Sequence, residues 1–159
     1  MKPQLKNILA GLILIVSFGN DAVQAEVVLL EGWIQEAPPG SRVLAGYLVL
    51  ENTGPADRQL VKATSPLFER VEMHRSVIVD DVARMEAQSE LTIPAGGVLE
   101  MRPGDYHLML FDPDTHLQAG MEVELLLVMD DDSQQRYSIE VKRAGRKHEE
   151  HDHHGHDHH

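Results

Sequence analysis

An all-β sandwich or barrel is the fold class predicted for this chain, and three observations predict it. Short β-rich segments recur along residues 27–142, divided by clusters of Gly, Pro, Asn, Asp and Ser. Several segments alternate apolar and polar residues with a period of two, as in Tyr137-Ser138-Ile139-Glu140-Val141-Lys142. None sustains the 3.6-residue apolar repeat of an amphipathic helix. A chain of 159 residues has room for one domain with a proper core and little beyond it.

The first segment lies outside that domain. Lys2 and Lys6, the apolar run Ile8 to Phe18 and the small-residue site Val23-Gln24-Ala25 have the anatomy of a secretory signal peptide. Residues 1–25 are therefore expected to be removed, leaving Glu26 as the mature N-terminus of an exported protein. A membrane anchor is the alternative, but the apolar run is short for a span and leads into polar Gly19-Asn20-Asp21.

The domain is expected over residues 26–145. Val27 to Ile34 and Val43 to Leu50 read as its first strands, with Ala37-Pro38-Pro39-Gly40-Ser41 as the turn between them. Asn52-Thr53-Gly54-Pro55-Ala56-Asp57 is a second loop, followed by Leu60 to Thr64. Phe68 to Ser76 and Val77 to Met85 are expected to form a hairpin turning near Asp80-Asp81. Leu91 to Pro94, Val98 to Met101 and Tyr106 to Phe111 come next, broken by Pro94-Ala95-Gly96-Gly97 and Arg102-Pro103-Gly104-Asp105. Val123 to Met129 and Arg136 to Lys142 close the domain across Asp130-Asp131-Asp132-Ser133. Residues 146–159 then change character, with seven histidines (His148, His151, His153, His154, His156, His158, His159) and no apolar side chain. Such a tail cannot form a packed core and is expected to be disordered without metal. An expression tag is the alternative, against which stand the interspersed Glu, Asp and Gly.

The formal charge is −12, and removing Lys2, Lys6 and Asp21 with residues 1–25 takes it to −13. An acidic exported chain is poorly suited to nucleic acid or anionic lipid, and better suited to cationic partners or metal ions. Cysteine is absent. That excludes thiol–disulfide exchange and the cysteine ligand of a blue-copper electron-transfer site, and any soft sulfur donor must be methionine.

Four residues carry the chemistry. His74, Met85, His107 and Met109 offer two imidazoles and two thioethers, with ten, twenty-one and one residues between successive members. Thioether with imidazole favours Cu(I) over zinc, calcium or magnesium. The alternative is ordinary packing, since methionine on a strand is more often core filler than ligand. Strand parity bears on the choice. Val71 and Met73 share the expected core face, so His74 points the other way with Glu72. His107 and Met109 share one face of their strand, opposite Tyr106, Leu108 and Leu110, and converge as a two-ligand pincer.

With strands and faces assigned, the chain resembles the periplasmic copper chaperones of the PCu(A)C family, whose signature is H-x10-M-x21-H-x-M. His74, Met85, His107 and Met109 match all four positions without a gap. Gly32-Trp33, Pro39-Gly40, Ala45-Gly46-Tyr47 with Glu51-Asn52, Val71-Glu72-Met73-His74, Ile93-Pro94-Ala95-Gly96-Gly97 and Pro103 to Leu110 fit the family's other blocks, so the resemblance covers roughly residues 26–143. Asp105 stands where glycine is usual, and Arg75 follows His74 where some members have a further methionine. The resemblance implies a cupredoxin-like Greek-key β-sandwich or barrel that holds Cu(I) near its surface. It also implies delivery to a copper-accepting protein, such as an oxidase subunit during assembly of the cytochrome c oxidase copper centre, or another periplasmic chaperone. No catalysis and no stable membrane insertion after cleavage are expected, and a monomer is the simplest state. Each imidazole must be neutral to bind, so affinity should weaken as pH falls through the histidine range.

The remaining candidates have simpler roles. Met73, Met101, Met121 and Met129 are expected to pack, His116 to be a solvated loop residue, and Trp33 and Tyr47 to be core aromatics, with shielding of the metal as an alternative. Asp130-Asp131-Asp132 lacks the spacing and closing Glu of a calcium loop and reads as a turn. The tail is a second metal hypothesis, since clustered imidazoles among carboxylates suit Cu(II), Zn(II) or Ni(II). Two rival functions stay open: periplasmic copper storage or resistance without directed transfer, and an exported interaction module whose His and Met residues are incidental.

Overall fold

Residues 26–143 are described by a computed structural model, and every regular element among them is a strand. Ten strands stand where ten are expected: β1 (Val27–Gln35), β2 (Val43–Asn52), β3 (Arg58–Thr64), β4 (Phe68–Val79), β5 (Val82–Gln88), β6 (Leu91–Ile93), β7 (Val98–Glu100), β8 (Tyr106–Pro113), β9 (Glu122–Met129) and β10 (Gln134–Lys142). The His-rich segment and the expected signal peptide lie outside the described residues.

Pairing follows the order β5-β4-β8-β2-β1-β10-β9-β3-β6, with β7 added to the far half of β2. Non-sequential neighbours such as β8 beside β2 mean that chemistry-bearing segments distant in the chain meet in the sheet. All pairings are antiparallel except β1 with β10. Alternate side chains of this sheet enclose one core of Ile34, Leu48, Leu50, Leu60, Leu108, Leu110, Leu125, Leu127 and Ile139, all fully or almost fully buried. Burial of these apolar side chains is the main stabilising term.

Two bulges change which residues face inward. In β1 the register to β2 shifts between Leu29 and Glu31, so the buried positions move from odd-numbered Val27 to even-numbered Ile34, and Leu30 is turned outward. In β3 the shift between Leu60 and Lys62 leaves Leu60 and Ala63, three residues apart, both buried. The expected break between Ser76 and Val77 is corrected as well. Val77, Ile78 and Val79 continue β4, and the reversal is confined to Asp80 and Asp81. Both have positive φ (52° and 61°), as a tight hairpin turn demands.

The triple-aspartate turn has a role that turn chemistry alone does not suggest. The largely buried Arg58 side chain donates from Nε to Asp130 at 2.9 Å and pairs with Asp131 and Glu26. The guanidinium holds the Asp130 carboxyl below its ordinary range. Asp131 is lowered to about 2, first by hydrogen bonds from Ser133 and then by Arg58. A depressed carboxylate contributes stability above its unfolded pKa and loses it as pH falls through the folded one. Denaturant midpoints should therefore fall as pH drops from about 4 towards 2, and Arg58→Met should flatten that fall.

Candidate metal site

The site is built on β4, β5 and β8, which lie side by side. β4 places His74 opposite His107 of β8 and opposite Ala87 of β5, and Ser76 opposite Met85. Met109 of β8 faces Glu72 on one side and Ala45 of β2 on the other. Parity assigns the faces as expected, with Met73, Leu108 and Leu110 buried in the core and His74, His107 and Met109 on the opposite side of the sheet.

Met85, His107 and Met109 line one cavity of about 260 Å³, together with Ala45, Tyr47 and Ser76. His74 is not among its walls but faces His107, with ring centroids 6.1 Å apart. With a metal–nitrogen bond of about 2 Å on each ring, one ion can join two imidazoles so spaced. Burial differs sharply across the set. His107 is 5% exposed, whereas Met85, on the edge strand, is 61% exposed. One side of the site is thus covered, the other open to solvent.

The hydrogen bonds specify which nitrogens are free. A backbone carbonyl can only accept, so His107 donates from Nδ1 to the Asp105 carbonyl at 2.9 Å and keeps its Nε2 lone pair. A carboxylate likewise accepts, so His74 donates from Nε2 to Glu72 at 2.8 Å. His74 Nδ1 is then a bare acceptor, buried and without a hydrogen-bond partner. Burying an unpaired nitrogen costs free energy, and a ligand that accepts its lone pair would remove that cost. The Glu72 carboxyl is held below its ordinary range, first by the hydrogen bond from His74 and then by Arg70.

Among the described residues no three His, Asp or Glu side chains gather as a metal cluster. A four-donor set here would have to combine the two imidazoles with the two thioethers, a donor chemistry that suits a soft monovalent ion.

Asp105 does not disturb the turn, because the left-handed position falls on Gly104 (φ 89°). Its side chain accepts from Arg75 at 3.1 Å while its carbonyl serves both His107 and the Ser76 amide. Trp33 and Tyr47, expected as core aromatics, both lie outside the core. Trp33 is half-buried, and Tyr47, though buried, sits on the site face, where it packs against Trp33 at 4.5 Å and forms part of the cavity wall. Strand parity, which aligns Tyr47 with Ala45 opposite Met109, is the signal that would have found it. Met101 and Met129 pack in the core, but Met121 is 38% exposed just before β9 and does not. His116 lies exposed beside Arg42 and Asp114, away from the quartet.

Comparison with known proteins gives a consistent picture. The LpqE-like lipoprotein family model matches residues 27–141. A Leifsonia xyli protein named as a lipoprotein, Lxx21020, is 32% identical over 117 residues, covering 73% of this chain and 69% of that protein. The Rickettsia prowazekii protein RP573 is 30% identical over 98 residues, 61% of this chain and 54% of its own length. Among solved structures, the Cu(I) form of DR1885 from Deinococcus radiodurans superposes with a TM-score of 0.60 at 26% identity, over 78% of this chain and 83% of that one. The copper-bound PCuAC domain of PmoF2 superposes with a TM-score of 0.63 at 18% identity, over 75% and 94% of the two chains, which concerns the fold alone.

Proposed function

The chain belongs to the LpqE-like family and has a PCuAC-type fold, and from that premise we propose that it is a copper chaperone, carrying Cu(I) on His74, Met85, His107 and Met109 as cargo for another protein. The observation that carries this reading is a bare, buried Nδ1 on His74, whose ring centre lies 6.1 Å from that of His107, itself hydrogen-bonded through Nδ1 and so keeping its Nε2 lone pair, beside a cavity with two thioethers. Neutral sulfur and neutral imidazole together stabilise Cu(I) without requiring a thiolate. The copper-bound forms of DR1885 and of the PmoF2 domain, which share the fold, support it.

The contrast in burial suits a carrier. His107 and the walls around it keep the ion from free solution, while exposed Met85 on an edge strand is the ligand an incoming acceptor can displace first. Transfer then proceeds by ligand exchange, with no redox step and no catalysis by the protein. The acceptor is an oxidase subunit during cytochrome c oxidase assembly or another chaperone. The lipoprotein names of the family and of the Leifsonia xyli relative, together with the apolar leader, support an exported, envelope location. X-ray absorption on the copper-loaded protein tests the site: a Cu(I) edge with mixed nitrogen and sulfur neighbours is expected, and an oxygen-rich shell overturns it. Passage of copper to an apo acceptor separates the chaperone from a storage protein, which would retain the metal.

The His-rich tail is proposed as a separate Cu(II) site. Truncation before Lys147 should remove most Cu(II) binding and spare Cu(I) binding, both read by titration. Unchanged Cu(II) binding would sink the idea.

A further inference from the structure

Glu72 has a task that the quartet does not explain. It sits two residues before His74 on the same face of β4, and its carboxylate lies between two N–H donors. Oε1 accepts from Arg70 Nε at 2.9 Å, and Oε2 accepts from His74 Nε2 at 2.8 Å. Arg70 is itself fixed, its guanidinium 3.8 Å from the centre of the Phe111 ring. The series Phe111, Arg70, Glu72, His74 thus runs from a β8 side chain to a ligand imidazole. Its last member leaves one ring nitrogen protonated and the other buried with no partner.

Resting on the copper reading, we propose that Glu72 is the positioning residue of the site, fixing His74 as its Nε2–H tautomer so that His74 meets copper through Nδ1 while His107 meets it through Nε2. The two histidines are therefore not equivalent ligands. His107 is locked by a backbone carbonyl, which no side-chain substitution removes. His74 is locked by a carboxylate that can be replaced, and that carboxylate adds a negative charge beside a cationic complex. A hydrogen-bonded partner on the distal nitrogen orients a ligand imidazole and raises its basicity, and losing such a partner commonly weakens metal binding about 10–100-fold.

The experiment uses the full mature chain labelled with 15N, at about pH 8 where imidazoles are neutral. Long-range correlation spectra assign the His74 and His107 ring nitrogens before and after one equivalent of Cu(I), and competition with a chromophoric Cu(I) chelator gives the affinity. In the apo wild type His74 should carry its proton on Nε2, and copper should shift Nδ1 while Nε2–H remains. Glu72→Leu should mix the tautomers of apo His74 and weaken Cu(I) binding about 10–100-fold. Glu72→Gln, whose amide oxygen still accepts, should restore the single tautomer and lose less than about tenfold. A purely structural role for Glu72 would leave the tautomer unmoved in both variants. Copper on His74 Nε2, or wild-type affinity in Glu72→Leu, overturns the inference and leaves the copper site standing. If neither His74 nor His107 responds to Cu(I), the copper site falls and this assignment with it.

Discussion

Met85→Leu combined with Met109→Leu should yield a folded protein whose Cu(I) affinity has fallen on the order of a hundredfold or more. The magnitude exceeds what loss of one outer hydrogen-bonding partner costs a metal site, about 10–100-fold, because two of four donors vanish. Leucine is close to methionine in volume, so a partly buried Met109 should tolerate the change for less than about 1.5 kcal/mol. Met85 is largely in solvent and should cost less still. Competition with a Cu(I) chelator measures the loss, and thermal unfolding of the apo chain establishes that the fold survives. Wild-type affinity in the double variant would return both methionines to the role of packing residues and leave an interaction module as the better account. The single variants should differ. Met85→Leu removes the exposed thioether of the proposed site and should speed copper release, whereas Met109→Leu removes the thioether that shares a β8 face with His107.

Asn52→Ala should destabilise the domain by roughly 2–4 kcal/mol, since a buried polar group stripped of its partner costs about 1–3 kcal/mol. Asn52 is wholly buried at the end of β2. Its Nδ2 donates to the carbonyls of Ala56 at 2.7 Å and Ile93 at 3.0 Å, and its Oδ1 accepts from the Gly54 amide at 2.9 Å. One side chain thus closes the 53–57 loop on itself and ties it to β6. Alanine leaves all three backbone groups without that partner in a place with little access to water. The expected readout is a melting temperature lower by roughly 10 °C, in line with domains of this size. Cu(I) affinity of the folded fraction should not change, because Ala45 beside the site is seven positions away along β2, about 23 Å. A variant with unchanged melting temperature would mean that water replaces the side chain at no cost.

The two predictions differ in how far sequence alone reaches. The Met85 and Met109 prediction was nearly available from the residues, because donor chemistry is a property of side-chain identity and the H-x-M pair needs only the period-two geometry of one strand. The Asn52 prediction was not. The asparagine stood out in the loop and in the family blocks, but its partner Ile93 lies forty-one residues along the chain. Only the folded sheet brings that carbonyl to it.

Similar limits apply to the fold. Turn clusters located all ten strands, and the alternation of β8 and β10 assigned their faces, because these signals are written within a few residues. The bulges at Leu30 and Val61 were not legible, since each depends on how a strand meets its neighbour. Arg58 and the aspartate turn show the same gap. Neither segment hints at the other, yet strand pairing sets them in contact.

By itself, then, the sequence determined which side chains can offer soft donors, the absence of thiol chemistry and the strand faces on which those side chains lie, because residue type and strand alternation are local. Tertiary structure decided that β5, β4 and β8 lie side by side, that Tyr47 closes the cavity, and that Asp105 and Glu72 leave different nitrogens free on the two histidines. Those outcomes depend on strand order and register, which arise only when segments far apart in the chain satisfy one another's backbone hydrogen bonds and bury a common core.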